Sequence, residues 1–173
     1  MAAATLFLLL SIVVAPLFIM IEQHRKTNGG VLQGCSHTTI LLNHKERNNV
    51  IIKSADNLRD IGFDSIVVCG VSGLLVGAQI ADILNKNIVI VRKNEKRYSP
   101  FYIEGAYPGR YIVVDDLVCS GSTIRYITKN IKEEYPLSKC LGVYCYLPNH
   151  CAYSSVPECF KRDFGIEYLN PAW

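Results

Sequence analysis

The chain has 173 residues, of which 50% are hydrophobic, and a formal net charge of +3. This length fits one domain with a sizeable core. The charge is too small for the basic surface that nucleic-acid binding needs, so we expect no nucleic-acid partner, whereas an anionic small substrate is compatible with it.

Residues 1–22 form an almost wholly apolar segment without Lys or Arg, followed by the basic residues Arg25 and Lys26. A run of this length is just long enough to cross a membrane. A secretory signal carries its positive charge before the apolar run, and the positive-inside rule would leave the rest of this chain in the cytoplasm. Three interpretations stay open, namely a membrane anchor facing the cytoplasm, a buried apolar helix of the domain or its oligomer, and a cleaved signal. We therefore divide the chain into the segment 1–22 and a domain at 27–173.

The next part of the chain is polar and rich in turn residues. The segment 27–49 predicts a linker with one short strand at residues 38–42. The apolar spacing over residues 50–61, with Gly62 as a stop signal, predicts an amphipathic helix.

A first strand-turn-helix pattern covers residues 63–84. The apolar run that ends at Cys69 leads into Gly70-Val71-Ser72-Gly73, and helical spacing continues to Leu84. Glycines at such a turn let the backbone approach a ligand closely, although most turns of this kind are only turns.

A third apolar segment, residues 87–91, predicts another strand and leads into four cations within six positions. These are Arg92, Lys93, Lys96 and Arg97. Alone, such a run is typical of a solvated loop, and the prolines and glycines up to Gly109 predict that the loop stays irregular.

A second strand-turn-helix pattern begins with the apolar run Tyr111 to Val114, which leads into Asp115 and Asp116. A small-residue loop follows, and isoleucines at helical spacing predict a helix to Glu134. Such a loop at the start of a helix exposes backbone N–H groups at the positive end of the dipole, which suits a phosphate. An Asp pair before a helix is by itself typical of a solvated helix start, but its place at the carboxyl end of a strand is where open α/β sheets bind ligands.

The C-terminal part predicts one more strand at residues 141–147 and no clear periodicity in residues 148–173. Strands that alternate with helices predict an α/β fold with a parallel twisted sheet flanked by helices and joined by right-handed crossovers. The seven cysteines contain no Cys-x-x-Cys motif, which favours reduced thiols in the cytoplasm. Cys140, Cys145, Cys151 and Cys159 with His150 do not have the spacing of a structural zinc site.

The acidic segment from Val113 to Thr123 resembles the phosphoribosyl pyrophosphate (PRPP) motif of type I phosphoribosyltransferases over eleven positions. The resemblance implies that Asp115 and Asp116 hold the ribose hydroxyls. It also implies that the loop binds the 5-phosphate through the amides and side chains of Cys119, Ser120, Gly121, Ser122 and Thr123.

Two further segments are similar to parts of the same family. Val71, Ser72 and Gly73 resemble its pyrophosphate-binding loop, most like the adenine and orotate members. Arg92, Lys93 and Lys96 resemble the start of the mobile catalytic loop of orotate phosphoribosyltransferases, whose basic residues reach the pyrophosphate, partly across a homodimer interface. The family fold would add a small variable hood for the base, from residues 27–49, the C-terminal tail, or both.

The function implied is transfer of the phosphoribosyl group from PRPP to a nucleobase, of orotate or purine type, in nucleotide synthesis or salvage. Lys93, Lys96, Asp115 and Asp116 would be the catalytic residues. Mg²⁺ would bind through PRPP near the two Asp residues, with no metal ligand supplied directly by the protein. The alternative is a non-catalytic, PRPP-binding regulatory protein on the same fold. The basic loop favours the enzyme, while Ser72 and Cys119, at positions where family members often differ, favour the regulatory protein.

Overall fold

The computed structural model describes residues 38–93, 101–147 and 157–170. The chain divides into two compact units, residues 1–43 and 44–173. The apolar segment 1–22 and the predicted boundary between it and residue 27 lie outside the described residues. Among those that are described, no helix is long and apolar enough to cross a membrane.

In the first unit, the described residues form one short helix, α1 (Thr39–Leu42). The prediction of a strand at residues 38–42 is therefore wrong. The Thr38 carbonyl accepts the N–H groups of Leu41 and Leu42 at 2.9 and 3.2 Å, which closes a helical turn. A run of so few apolar residues does not distinguish strand from helix by its periodicity.

The second unit is an α/β domain built on one six-stranded sheet. Its elements in chain order are α2 (His44–Leu58), β1 (Ser65–Val68), α3 (Val71–Ile83), β2 (Asn87–Val91), β3 (Ile103–Gly105), β4 (Arg110–Asp115), α4 (Ser122–Glu134), β5 (Lys139–Cys145), α5 (Pro157–Phe164) and β6 (Glu167–Tyr168). The strand order is β3-β2-β1-β4-β5-β6, and only the pairing of β3 with β2 is antiparallel. The predicted parallel α/β sheet is confirmed.

Helices cover both faces of the sheet because β1 and β4 are apolar on both sides. One face carries Val67, Val113 and Val143, which pack in one core cluster with Ile124, Ile127 and Ile131 of α4. The other face carries Ile66 and Val68, which lie against α3. There a side chain at Gly77 would come within 2.5 Å of Val68 Cγ1, so the absence of a side chain lets the helix approach the sheet. A strand that is covered on both faces needs apolar side chains on both, so its sequence is a continuous apolar run rather than an alternating one.

Several bounds differ from the predicted ones. Helix α2 begins at His44, six residues before the predicted start, inside the segment predicted as a linker. Strand β3 interrupts the stretch predicted as irregular up to Gly109, and β5 begins two residues earlier than predicted. The C-terminal stretch without periodicity contains α5 and β6.

Candidate functional site

The sheet order places two turns side by side at one edge of the sheet. From the neighbouring strands β1 and β4 the chain proceeds in opposite directions, β1 through α3 to β2 and β4 through α4 to β5. Ligands of open α/β sheets bind in the crevice outside the carboxyl ends of strands at such a point. The turn at Gly70 and the pair Asp115 and Asp116 both lie there, so the fold brings together the two predicted loops.

Both helices that start at this crevice have N-termini without side-chain caps. Gly70 precedes α3 with φ +95° and Gly121 precedes α4 with φ +74°, conformations that favour glycine. Neither helix has a side-chain hydrogen bond at its N-cap or an acidic residue in its first turn. Because the first N–H groups of a helix lack partners within it, each end offers donors and a positive dipole to an anion.

Gly121 is held by a residue from the C-terminal part of the domain. An added Cβ there would lie 2.0 Å from Phe164 Cζ, so the ring occupies the space that any side chain would need. Arg125 stacks on the same ring at 4.6 Å, and its Nη1 donates to the Ser120 carbonyl over 2.9 Å. The loop before α4 thus packs against Phe164 of α5, while Cys119, Ser120 and Ser122 remain exposed to solvent.

The two carboxylates differ in environment. Asp115 is buried, and its Oδ1 accepts the Asp116 N–H at 3.0 Å and the Ser72 hydroxyl at a longer 3.4 Å. Burial and the neighbouring Asp116 carboxylate together raise the pKa of Asp115 to about 7, while the nearby Lys93 ammonium opposes the shift. Asp116 is half-buried, and its Oδ1 accepts the Leu117 N–H at 2.9 Å.

The first residues after β2 reach the same crevice. Lys93 lies near the first turn, since a Cβ at Gly70 would be 4.0 Å from its Nζ. Together with Cys69, Ser122, Thr123 and Tyr126 it lines an open cleft of about 320 Å³. The cleft therefore joins the basic residue to the N-terminus of α4.

Arg92 has a different environment from the one predicted. Its guanidinium makes two hydrogen bonds to the Glu104 carboxylate on β3, at 2.8 and 2.9 Å. Its N–H donates to the Tyr102 carbonyl at 2.8 Å, and its carbonyl accepts the Tyr126 hydroxyl at 2.8 Å. These contacts fix the residue that precedes Lys93.

The structure thus brings together the predicted residues of both small-residue turns, the acidic pair and Lys93, whereas Lys96 lies outside the described residues. Val71, Ser72 and Gly73 form the first turn of α3 rather than a loop, and an added Cβ at Gly73 would lie 2.8 Å from the Val114 carbonyl. Within the described ranges, no group of three His, Cys, Asp or Glu side chains could hold a metal ion.

Sequence reasoning missed Cys69, Tyr126 and Tyr146 as neighbours of the site. Cys69 is the last apolar residue before Gly70, and burial raises the pKa of its thiol. Tyr126 stands between Ile124 and Ile127 in α4 but away from the face that the isoleucines define. It is half-buried against the core and lines the cleft, and the isoleucine spacing carried no signal for it. Tyr146 is the penultimate residue of the strand predicted at residues 141–147 and carried no signal of its own.

The chain is similar to known proteins in sequence over part of its length and in fold. No protein-family model matches the chain. An adenine phosphoribosyltransferase from Caldicellulosiruptor saccharolyticus is 33% identical over 103 residues, which are 49% of this chain and 59% of the relative. The chain thus spans less than two thirds of that relative's length.

Solved structures show the same fold. An adenine phosphoribosyltransferase from Thermoanaerobacter pseudethanolicus is similar with a TM-score of 0.51 and 25% identity, over 62% of this chain and 72% of that chain. An orotate phosphoribosyltransferase from Aeropyrum pernix has a TM-score of 0.55 and 17% identity, over 83% and 87%. The orotate phosphoribosyltransferase of Mycobacterium tuberculosis in complex with PRPP has a TM-score of 0.54 and 16% identity, over 75% and 74%.

Proposed function

We propose that this chain is a member of the type I phosphoribosyltransferase family and an enzyme that transfers the 5-phosphoribosyl group of PRPP to a nucleobase and releases pyrophosphate. The observation that carries the proposal is the acidic pair between two uncapped helix N-termini. The groups of PRPP follow the same order as this site, because its ribose diol would meet the acidic pair while the 5-phosphate and the pyrophosphate on either side would meet the two helix N-termini.

In the proposed complex, the 5-phosphate binds the N-terminus of α4 through the amides and hydroxyls of residues 119–123. The pyrophosphate lies at the N-terminus of α3, where Val71, Ser72 and Gly73 supply backbone amides, and the Lys93 ammonium neutralises its charge. An anion at a helix N-terminus gains about 0.3–1 kcal/mol, so two such ends and a cation are needed together to hold so charged a ligand.

The carboxylates of Asp115 and Asp116 accept hydrogen bonds from the ribose hydroxyls. Their oxygens are also of the type that Mg²⁺ prefers, and two adjacent carboxylates fit an ion that takes its other ligands from water and phosphates. Bound Mg²⁺ would neutralise charge on the pyrophosphate. No metal site made by the protein alone is proposed.

The reaction breaks the bond between ribose C1 and a pyrophosphate oxygen and forms a bond from C1 to a base nitrogen. The electron pair of the broken bond leaves with pyrophosphate, so negative charge builds on the leaving group while C1 becomes cationic. Lys93, Lys96 and the α3 amides stabilise the first charge, and Asp115 and Asp116 offset the second. Preorganised charges of this kind supply most of the catalytic effect in many enzymes.

We further propose that the protein acts in nucleotide synthesis or salvage in the cytoplasm, as a homodimer with a base of orotate or purine type. Attachment to a membrane through residues 1–22 belongs to the same proposal. Incubation with PRPP, Mg²⁺ and a panel of bases, with pyrophosphate release as the readout, tests the activity and identifies the base. Absence of release with every base would refute the enzyme.

The PRPP site itself is tested separately by binding. Asp115→Asn combined with Asp116→Asn should lose most of the PRPP affinity in calorimetry while the protein stays folded. An Asp pair that only stabilised the start of a helix would change the free energy of unfolding and leave ligand affinity unaltered.

A non-catalytic PRPP-binding regulatory protein is the second candidate. The two hydrogen bonds between Arg92 and Glu104 favour it, because they hold on β3 a cation that the enzyme would direct to pyrophosphate. A regulatory protein would bind PRPP with Mg²⁺ and release no pyrophosphate with any base. Its Lys93→Ala variant would differ only in PRPP affinity and in the salt dependence of that affinity.

A further inference from the structure

Tyr146 follows directly after β5, next to the acidic pair. Its N–H donates to the Asp115 carbonyl at 3.1 Å, and the next residue, Leu147, donates to the Asp116 carbonyl at 3.0 Å. These hydrogen bonds continue the pairing of β4 with β5 and fix the position of Tyr146 relative to both acids.

The Tyr146 hydroxyl is buried without a hydrogen-bond partner in the part of the chain that the structure describes. Only 6% of the residue is exposed. Burial raises the pKa of the phenol, and the carboxylates of Asp116 and Asp115 raise it further, while the nearby Ser72 hydroxyl, whose geometry falls short of a hydrogen bond, lowers it. The pairing of β4 with β5, continued by backbone hydrogen bonds, places Tyr146 beside the acidic pair, and its phenol is close enough to Asp115, Asp116 and Ser72 for all three to affect its pKa. An unsatisfied buried hydroxyl destabilises the ligand-free fold, so some other state should supply its partner.

Tyr144 provides a comparison on the same strand. Side chains two positions apart in a strand lie on the same face, so Tyr144 and Tyr146 both lie beneath the helical layer of α2 and α3. The Tyr144 hydroxyl accepts a hydrogen bond from Asn57 Nδ2 of α2 at 3.1 Å. Among the described residues, the Tyr144 hydroxyl thus has a hydrogen-bond partner in the ligand-free protein, whereas the Tyr146 hydroxyl, which lies next to the site, has none.

We propose that Tyr146 is a positioning residue whose hydroxyl acquires its hydrogen bond when a ribose diol binds to Asp115 and Asp116. The inference rests on the proposed function. The Ser72 hydroxyl donates to Asp115 over 3.4 Å, which is long for a bond between oxygens. A diol hydroxyl that donates to this carboxylate takes the place of Ser72. The Ser72 side chain, released from Asp115, then turns toward Tyr146 and accepts a hydrogen bond from its hydroxyl, so the buried phenol has a partner in the bound state.

The test compares Tyr146→Phe with the wild type in two measurements, the melting temperature of the ligand-free protein and the Kd for PRPP with Mg²⁺. We expect the melting temperature to stay equal or rise, because an unsatisfied hydroxyl is removed. We expect Kd to rise about fivefold, the effect of one net hydrogen bond. The same loss is expected with ribose 5-phosphate, which has the diol and the 5-phosphate but no pyrophosphate.

Tyr144→Phe is the matched control. It should lower the melting temperature, because Asn57 loses its acceptor, and leave the Kd for PRPP unchanged. Ser72→Ala in the Tyr146→Phe background should add less than it does in the wild type, because the two residues share one hydrogen bond in the bound state.

The outcomes separate the inference from the proposed function. If the wild type binds PRPP and Tyr146→Phe binds it equally well, the positioning role is wrong and the proposed function stands. The role is also wrong if the variant behaves like Tyr144→Phe, with a lower melting temperature and normal affinity. If the wild type binds no PRPP, both are refuted.

Discussion

Asp115→Asn should make the ligand-free protein more stable above neutral pH, although it removes a residue from the proposed site. The pKa of Asp115 is raised from 3.8 to about 7 by burial and by the neighbouring Asp116. The folded state therefore keeps a proton that the unfolded chain releases near pH 4. Since the folded state binds more protons over this interval, the free energy of unfolding falls as pH rises from about 4 to about 7.

The size of the effect follows from the two pKa values. A difference of roughly three pH units corresponds to about 4 kcal/mol, which is the most that an uncharged replacement can recover at pH 8. Asn keeps the oxygen that accepts the Asp116 N–H, but its amide group needs an acceptor that the carboxyl did not. We therefore expect a gain of about 1–3 kcal/mol at pH 8 and little gain at pH 4.

The assay is urea denaturation of wild type and variant at several pH values between 4 and 8. Asp64→Asn is a control of opposite sign, because hydrogen bonds from Arg110 lower the pKa of Asp64. A carboxylate with a lowered pKa stabilises the folded state at pH values above its pKa in the unfolded chain, and this stabilisation is lost as the carboxylate is protonated in acid. Asp64→Asn should therefore be less stable than the wild type at pH 8, and the difference should disappear at low pH. A difference between Asp115→Asn and wild type that does not change with pH would refute the reasoning.

Three further predictions concern other parts of the chain. Lys93→Ala combined with Lys96→Ala should change the Kd for PRPP modestly and lower turnover by on the order of a hundredfold. The reason is that the lysines act mainly on the negative charge that develops on pyrophosphate in the transition state. Equal losses of PRPP affinity and of turnover would contradict this prediction. Gly121→Ala should lower both the melting temperature and PRPP affinity, because strain at φ +74° is combined with a clash against the packed Phe164 ring. Gly165→Ala is the control and should show strain alone, because φ there is +69° but no atom of the described residues lies within 4 Å of the added Cβ. Similar effects of the two substitutions would refute the packing argument. Removal of residues 1–22 should leave PRPP binding intact in calorimetry, because every proposed contact with PRPP follows residue 68. An unfolded or insoluble product would instead show that this segment belongs to the core.

The strand-turn-helix units that form the site could be predicted from sequence because their signals are local. The apolar runs before Gly70 and Asp115 are long enough to identify buried strands, and small residues mark the start of each helix. The resemblance to the family then predicts which groups these turns would bind.

The elements that were missed depend on partners distant in sequence. Strand β3 has three residues and exists through its pairing with β2, and β6 has two residues paired with β5. Helix α2 begins in a polar run whose residues tolerate a helix, and only its later turns carry the buried positions that define an amphipathic pattern. Tyr146 joins the site through the register of β5 with β4, which no local pattern specifies.

The position of α3 and α4 on opposite faces of the sheet has a consequence for turnover under the proposed function. PRPP would contact both helix ends at once, so its two anionic groups bind as a chelate in which each raises the effective concentration of the other. Transfer to the base cuts the ligand between those groups. The nucleotide then keeps only the α4 end and pyrophosphate only the α3 end, so the chemical step itself removes the chelate advantage and favours release of both products.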